Sequence, residues 1–263
     1  KGELTPIFFG SAMTNFGVQV FLEEFLNMTT PPLSRMSDIG EISPEREKFS
    51  AFIFKIQANM NPTHRDRIAF MRICSGKFTK GMTVNHVQEN KNITLSQPQQ
   101  FLAQDREIVE EAYAGDIIGV FDPGIFSIGD TLCEGTDKYR FEGIPVFAPE
   151  HFARVYTKNS LKRKQFIKGV SQIAQEGAIQ VFTQPDSLTQ DLIVGVVGIL
   201  QLEVLDFRLK NEYGVECKIE HLPFRYIRWV KADDFNPDNF KLTTDTIIAR
   251  DSKDNPVLLF QNE

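Results

Sequence analysis

Short β-type runs separated by glycine turns fill residues 49–137, and this pattern constrains the fold more than any other feature of the sequence. The runs are Ala51–Gln57, Arg67–Cys74, Thr83–Glu89, Asn92–Ser96, Asp105–Glu110, Asp116–Phe121 and Thr131–Cys133. Turn residues such as Ser75-Gly76 and Asp122-Pro123-Gly124 stand between them. No part of this stretch has a convincing helical period. Many short strands with regular turns predict a small antiparallel β-barrel.

The first two strands of the predicted barrel are strongly basic. Between residues 55 and 80 the sequence has one acidic residue, Asp66, and six basic residues. The basic residues are Lys55, Arg65, Arg67, Arg72, Lys77 and Lys80. The whole chain has a formal net charge of −6, so this local excess indicates a surface that meets a polyanion. Alternation puts Ile68 and Phe70 on one face and Arg67 on the other. The same alternation puts the side chain of Arg72 on the face that is predicted to point into the barrel. Either a bulge therefore resets the strand at Arg72, or Arg72 lies near the barrel rim.

The pattern changes after Asp137. An extended run over Ile144–Thr157 precedes a helix with Ser160 as N-cap and Gly177 at its C-terminal end. Two β-rich runs, a second helix and two more strand runs follow, and they are Ala178–Phe182, Leu192–Val197, Ile199–Tyr213, Val215–Glu220 and Ile227–Val230. The order β-α-β-β-α-β predicts a ferredoxin-like α+β domain. Beyond Trp229 the chain reads as a polar loop that ends in a final strand, Val257–Phe260.

A second group of cations surrounds the start of the first helix in this domain. It consists of Lys158, Lys162, Arg163, Lys164 and Lys168, with no acidic residue among them. Cations at a helix N-terminus oppose the helix dipole, at a cost of about 0.3–1 kcal/mol each before screening. The cluster is either a solvated face or a contact patch for RNA phosphate or an acidic partner.

The first 48 residues predict a different kind of structure. Thr5–Phe9 has the composition of a buried strand, and Phe21, Leu22 and Phe25 lie on one stripe of a helix that stops at Pro31-Pro32. One strand and one helix cannot form a domain by themselves. Because the chain starts at Lys1 and not at Met, we expect a piece of a longer protein that retains the last β-α unit of an α/β domain.

The expected organisation therefore has four parts. Residues 1–32 end an α/β domain, 33–48 form a polar linker, 49–137 form the barrel, and 138–263 form the α+β domain. No apolar run approaches the ~20 residues of a membrane span, so we expect no membrane partner. Three cysteines, an odd number far apart in sequence, favour a reducing cytoplasm. His64, Cys74 and His86 lack metal-ligand spacing, and no nucleophile–base set is present, so we predict no catalytic residue and no metal site.

Three long motifs resemble one known family. The barrel carries QANMNPTHRDRIAF at residues 57–70 and AYAGDIIGVFDPGIFSIGDTLCEG at residues 112–135, and the α+β domain carries GILQLEVLDFRLKNEYGVECKIE at residues 198–220. These stretches resemble domains II and III of bacterial peptide chain release factor 3, an elongation-factor-G-like translational GTPase. The loop FGSAMTNFGV also resembles a guanine-binding motif of such GTPases, in which backbone N–H groups at Ser11 and Ala12 would reach the base. On its own, Gly-Ser-Ala is also a common turn sequence.

The resemblance implies a role in translation termination, in which the whole factor uses GTP to promote dissociation of a class 1 release factor from the ribosome. GTP or GDP with magnesium is the cofactor expected of the full-length protein. This chain lacks a phosphate loop, and Ile93 stands where the guanine-reading Asp of Asn-Lys-x-Asp belongs. We therefore expect no cofactor and no catalysis in the chain alone.

The partners that the resemblance implies are small-subunit rRNA, ribosomal protein and the class 1 release factor, not DNA. Seven cations are expected to contact rRNA, and they are Arg65, Arg67, Arg72, Lys77, Lys162, Arg163 and Lys164. One alternative is a stand-alone adaptor that binds an acidic protein. Another is a piece of an elongation-factor-G or tetracycline-protection relative.

Overall fold

A computed structural model describes residues 4–58, 67–96, 98–102, 105–184, 191–231, 243 and 245–262. In chain order these residues form a helix, a small hairpin, a curled antiparallel sheet and a region with two helices and two further sheets. Within this described part, no helix is long and apolar enough to cross a membrane.

The predicted N-terminal helix is present as α1 (Val18–Met28), whereas the predicted buried strand before it is not formed. The residues described in that run pair with no other described strand, and Ile7 and Phe9 are 75% and 84% exposed. A strand needs a neighbour to satisfy its backbone N–H and C=O groups, and the described residues place none beside it. The helix is no better covered, since none of its residues is buried.

The segment predicted to be a linker contains a hairpin. Strands β1 (Arg35–Ser37) and β2 (Gly40–Ile42) pair with each other, and β1 also meets the chain that leaves the barrel. The backbone N–H of Asp38 donates to the carbonyl of Arg140 at 2.9 Å, across 102 residues of sequence. The polar composition did not predict this hairpin, because the partners that order it are distant in the chain.

The described residues in the region of the predicted barrel form ten strands. They are β3 (Ser50–Ala58), β4 (Arg67–Ser75), β5 (Lys77–Thr79), β6 (Thr83–His86), β7 (Lys91–Thr94), β8 (Gln99–Leu102), β9 (Asp105–Ile108), β10 (Glu111–Tyr113), β11 (Ile117–Phe121) and β12 (Thr131–Cys133). Eight of them form one antiparallel sheet in the order β7-β6-β12-β3-β4-β11-β8-β9, and β5 pairs with β10. The sheet curls around a single apolar core to which both groups contribute, which confirms the barrel-like fold.

The inward face of β4 is opposite to the one predicted. Ala69, Met71 and Ile73 are fully buried in the barrel core, so Phe70 and Arg72 lie on the outer face. Arg72 pairs directly with Phe52, and the two register shifts of this strand pair lie on either side of it, one between Ile53 and Lys55 of β3 and one at Cys74 of β4, where Ser50 pairs with Ser75 and Ala51 pairs with Ile73. The prediction chose the wrong inward face because Ile68 and Phe70 have large apolar side chains.

The ferredoxin-like prediction is confirmed. Its elements are β13 (His151–Tyr156), α2 (Arg163–Gln175), β14 (Gln180–Phe182), β15 (Leu192–Val196), α3 (Leu200–Tyr213) and β16 (Lys218–Leu222). The sheet is antiparallel throughout with the order β14-β15-β13-β16, and the two helices pack on it. They approach closely at Gly169, where a Cβ would lie 2.7 Å from Leu209.

A second, three-stranded sheet completes the C-terminal region. It consists of β17 (Tyr226–Trp229), β18 (Thr246–Arg250) and β19 (Pro256–Phe260), with β19 in the centre. The final strand was predicted, but β18 was not, because its Ile-Ile pair follows a long polar stretch of which residues 232–242 lie outside the described residues. Thr183 and Arg250 exchange backbone hydrogen bonds, which joins this sheet to the end of β14.

Candidate nucleic-acid interface

Arg67, predicted to contact rRNA, is buried between the barrel and α2. Its Nε donates to Asp122 Oδ2 at 2.6 Å, Nη2 donates to the carbonyl of Phe126 at 2.9 Å, and Nη1 contacts Gln175. The Arg67 side chain is 9% exposed and the Asp122 side chain is 0% exposed. The prediction is therefore wrong for Arg67, because its guanidinium is already used inside the protein and cannot reach an RNA phosphate.

The other cations on the barrel are less isolated in space than in sequence. Lys77 pairs with Glu111 at 2.6 Å and Lys80 pairs with Glu110 at 2.7 Å, because strand β10 and the residue before it lie beside β5. A hydrogen bond from Lys77 to Glu111 raises the pKa of the lysine, and the same bond lowers the pKa of Glu111. Lys77 remains exposed, but its field is partly cancelled, so the basic surface predicted here is weaker than the sequence count indicates.

The remaining two barrel arginines have different outcomes. Arg65 lies outside the described residues. Arg72 is half-buried on the outer face of β4, next to the segment that enters the barrel from α1. A role for either residue in RNA contact stays a prediction.

The cations around α2 keep the character that the sequence predicted. The helix begins later than expected, since a 3₁₀ turn over Ser160–Lys162 precedes α2 and Asn159, not Ser160, provides the cap by accepting from the backbone N–H of Leu161 at 3.0 Å. Lys158, Lys164 and Lys168 are exposed and Lys162 is half-buried, and none of these four forms an ion pair with a described residue. Arg163 is half-buried. This group is a concentrated positive surface on the described part of the chain.

The loop with the guanine-motif resemblance is a closed turn. The backbone N–H of Ser11 donates to the carbonyl of Phe16 at 2.9 Å, and Ala12 lies exposed at the turn. Gly17 ends the turn with a φ of 70°, and a Cβ there would lie 2.4 Å from the carbonyl oxygen of Phe9. Only glycine fits this position. Recognition of a guanine by Ser11 and Ala12 stays a prediction.

The histidine and the thiols that the sequence singled out have structural surroundings. His86 Nε2 lies 2.8 Å from Asp130 Oδ2, and both residues are buried. Burial raises the pKa of Cys74 to about 11 and that of Cys133 to about 12. No group of three or more His, Cys, Asp or Glu side chains in the described part of the chain could hold a metal ion. His64 lies outside that part.

A polar junction between the barrel and the α+β domain was missed by the sequence reasoning. Besides the contact of Arg67 with Gln175, Glu176 accepts from the backbone N–H of Ala58 at 3.3 Å and binds Arg208 of α3 through Nη1 at 2.7 Å and Nη2 at 3.1 Å. The only sequence signal was a polar Gln-Glu pair at the end of an amphipathic helix, which is ordinary for a solvent-facing helix end. Its partners Ala58 and Arg67 lie more than a hundred residues away.

Family profiles match two regions of the chain. Residues 48–135 match elongation factor G domain 2, and residues 141–263 match the C-terminal domain of class II release factor RF3. The first match covers the curled sheet, and the second covers both C-terminal sheets.

Similarity to individual proteins extends over the whole chain. Peptide chain release factor 3 of Symbiobacterium thermophilum is 57% identical over 265 residues, which cover 100% of this chain and 49% of that protein. The proteins of the same name in Acaryochloris marina and Rippkaea orientalis are 52% and 50% identical, again over 100% of this chain and 48% of their own length. The chain therefore spans about half the length of the curated relatives that it matches.

Proposed function

The chain belongs to the peptide chain release factor 3 family, and from this premise we propose that it supplies the part of such a factor that docks to the terminating ribosome. In this proposal the whole protein acts in the cytoplasm as a GTPase, with GTP and magnesium as its cofactors. It promotes dissociation of the class 1 release factor, and its nucleotide chemistry lies outside this chain.

The observation that supports a docking role is the cationic cluster around the start of α2. Four lysines surround this helix start without acidic partners in the described residues, and Lys164 lies in the first turn of α2, where the helix dipole disfavours a cation. A cation in the first turn of a helix does not stabilise the fold, whereas contact with a phosphate backbone would offset the unfavourable electrostatic energy of this position. We therefore assign the principal RNA contact to Lys162, Arg163 and Lys164, with Lys77 as a weaker contributor.

The polar junction gives this surface a fixed position. A docking surface transmits a domain movement only if it is held to its neighbour, and the contacts of Glu176 and Gln175 join α2 to strands β3 and β4 of the barrel. Phosphate contacts of this kind position a protein on RNA without reading its sequence.

Charge reversal of the cluster tests the proposal. The double variant Lys162→Glu/Lys164→Glu should reduce co-sedimentation with 70S ribosomes and lower the steepness of the salt dependence, by about one unit for each phosphate that the variant no longer neutralises. The matched control is Lys91→Glu/Lys253→Glu, which changes the net charge equally at exposed lysines elsewhere. Equal binding and equal salt slopes for the two variants would contradict the proposal, provided that circular dichroism shows both to be folded.

A further inference from the structure

A recess with a volume of about 520 Å³ lies where the segment after α1 crosses the barrel. Its lining includes Thr30, Pro32, Ser34, Arg35 and Arg72, and no acidic residue contributes to it. The volume is within the range of small-molecule sites. Two arginines and two hydroxyl groups thus share one concave surface.

Both arginines of this recess are neighbours of Phe52. Phe52 on β3 is the direct cross-strand partner of Arg72 on β4, so the two side chains leave the sheet on the same face. Arg35, on β1 of the docked hairpin, places its Cζ 3.7 Å from the centre of the same ring. Both arginines also lie near the buried thiol of Cys74, whose pKa burial raises and their charges lower.

Few of the donors on these arginines are used by the protein. Arg35 donates through Nη2 to the carbonyl of Glu142 at 2.8 Å, while its Nε is buried without a hydrogen-bond partner. Among the described residues, Arg72 forms no side-chain hydrogen bond and no ion pair, and the hydroxyl groups of Thr30 and Ser34 have no partner either. Two like charges held together without an acid destabilise each other, and an anion would reverse that effect.

One wall of the recess lies close to the barrel where the ring of Pro32 approaches the backbone of Gly115. Gly115, with a φ of 100°, lies under Pro32, and a Cβ at Gly115 would be 2.5 Å from the Cγ of Pro32. The segment can therefore lie this close to the barrel only because residue 115 has no side chain. This contact keeps the hydroxyl-bearing segment against the two arginines.

From these observations we propose that Arg35 and Arg72 form a binding site for a phosphate-type oxyanion, either inorganic phosphate or the phosphate group of a small monoester. Arginine donors suit phosphate oxygens, and the hydroxyl groups of Thr30 and Ser34 in the same recess add further donors. The site is distinct from the cationic cluster at α2 and does not depend on the ribosome. An occupied site would hold the segment that follows α1 against the barrel.

Thermal unfolding of the isolated chain tests the site. Inorganic phosphate and glycerol 2-phosphate are each titrated at constant ionic strength, with chloride as the reference anion, and the affinity is taken from the rise in Tm. Arg72→Gln should weaken binding about tenfold to a hundredfold, which corresponds to the loss of one charged hydrogen-bonding partner. Arg225→Gln, at an exposed arginine elsewhere, should leave the affinity unchanged.

The two ligands distinguish the source of the phosphate. Equal affinity for both ligands indicates a site for free phosphate, whereas tighter binding of the ester indicates that the rest of the recess contributes. Gly115→Ala provides a second test that keeps both arginines, and it should also weaken binding by displacing Pro32. An equal rise in Tm for the wild-type protein and Arg72→Gln, or binding of an RNA oligonucleotide but of neither small phosphate, would overturn the proposal.

Discussion

Arg67 and Asp122 form an ion pair of 2.6 Å that is closed off from solvent between the barrel and α2. Asp122 also accepts from the backbone N–H groups of Gly124 and Ile125 through Oδ1, at 2.8 and 2.9 Å. The carboxylate thus holds the Asp-Pro-Gly turn and the arginine at the same time. Arg67 in turn extends this hydrogen-bonded group across the domain boundary to Gln175.

Arg67→Gln should lower the free energy of unfolding by about 3–5 kcal/mol, because it leaves the Asp122 carboxylate buried without its counter-ion. The matched control is Lys80→Gln, which breaks the exposed pair with Glu110 and should cost less than about 1 kcal/mol. Urea unfolding followed by circular dichroism measures both. Similar losses in the two variants would mean that Arg67 is not held as the structure shows.

A comparison of Gly115→Ala with Gly124→Ala distinguishes the stability lost through backbone strain from the effect of a steric clash with Pro32. Both glycines have left-handed φ values, 100° and 98°, so both variants should lose about 1–2 kcal/mol from the backbone. Only at Gly115 does the new methyl group meet another atom, the Cγ of Pro32 at 2.5 Å, whereas the space at Gly124 is open. Gly115→Ala should therefore also increase trypsin cleavage at Arg35. Equal stability and equal cleavage would show that Pro32 does not pack on residue 115.

The repeating elements of the fold were readable from the sequence because their signals are local. Glycine turns mark the barrel strands, and the spacing of Phe166, Val170 and Ile173 marks the buried side of α2. Six strands were missed, since their stability comes from pairing with residues that are distant in the chain or follow a turn, and they are β1, β2, β5, β8, β10 and β18. Periodicity within a short segment contains no information about such partners.

The basic residues of the candidate site were predictable only where no acidic side chain from another segment of the chain pairs with them. The cluster around α2 remained as the sequence indicated, since the fold brings no acidic residue to Lys164 within the described part. The acidic partners of Arg67 and Lys77 were not foreseen, because Asp122 and Glu111 reach them only through strand pairing and turns. A count of charges along the chain therefore overestimates a basic surface on a β-sheet.

Cys217 should react slowly with iodoacetamide at pH 8. Burial, followed by the hydrogen bond to Asp206 Oδ1 at 3.2 Å, raises its pKa to about 12. The thiolate fraction is then about a thousandfold below that of an ordinary cysteine. Asp206→Asn should increase the alkylation rate, measured by mass spectrometry of the Cys217 peptide. Glu203→Gln, on the same helix but not bonded to the thiol, is the control, and equal rates in both variants would contradict the role of Asp206.

The fluorescence of Trp229, the only tryptophan in the chain, should follow the ionisation of Asp251. Burial raises the pKa of Asp251, but hydrogen bonds from Asn255, Lys253 and the Trp229 indole at 3.0 Å together hold it below its ordinary value. The stability that this carboxylate contributes is therefore present near neutral pH and is lost as the pH falls below about 4.

In Asp251→Asn, the acid-dependent change in Trp229 emission should disappear. Asp254→Asn is the control, since that carboxylate is exposed and pairs with Arg250 instead. A change in emission that persists unaltered in Asp251→Asn would show that another group reports on the indole.

Glu176 should couple the unfolding of the barrel to that of the α+β domain. Glu176 and Glu212 both bind Arg208, and Glu176 also accepts from the backbone N–H of Ala58 in the barrel. Glu176→Ala should cost about 1–3 kcal/mol and separate a single calorimetric transition into two, whereas Glu212→Ala should cost less than about 1 kcal/mol and keep one transition. If both variants unfold alike, the contact of Glu176 with Ala58 does not couple the two domains.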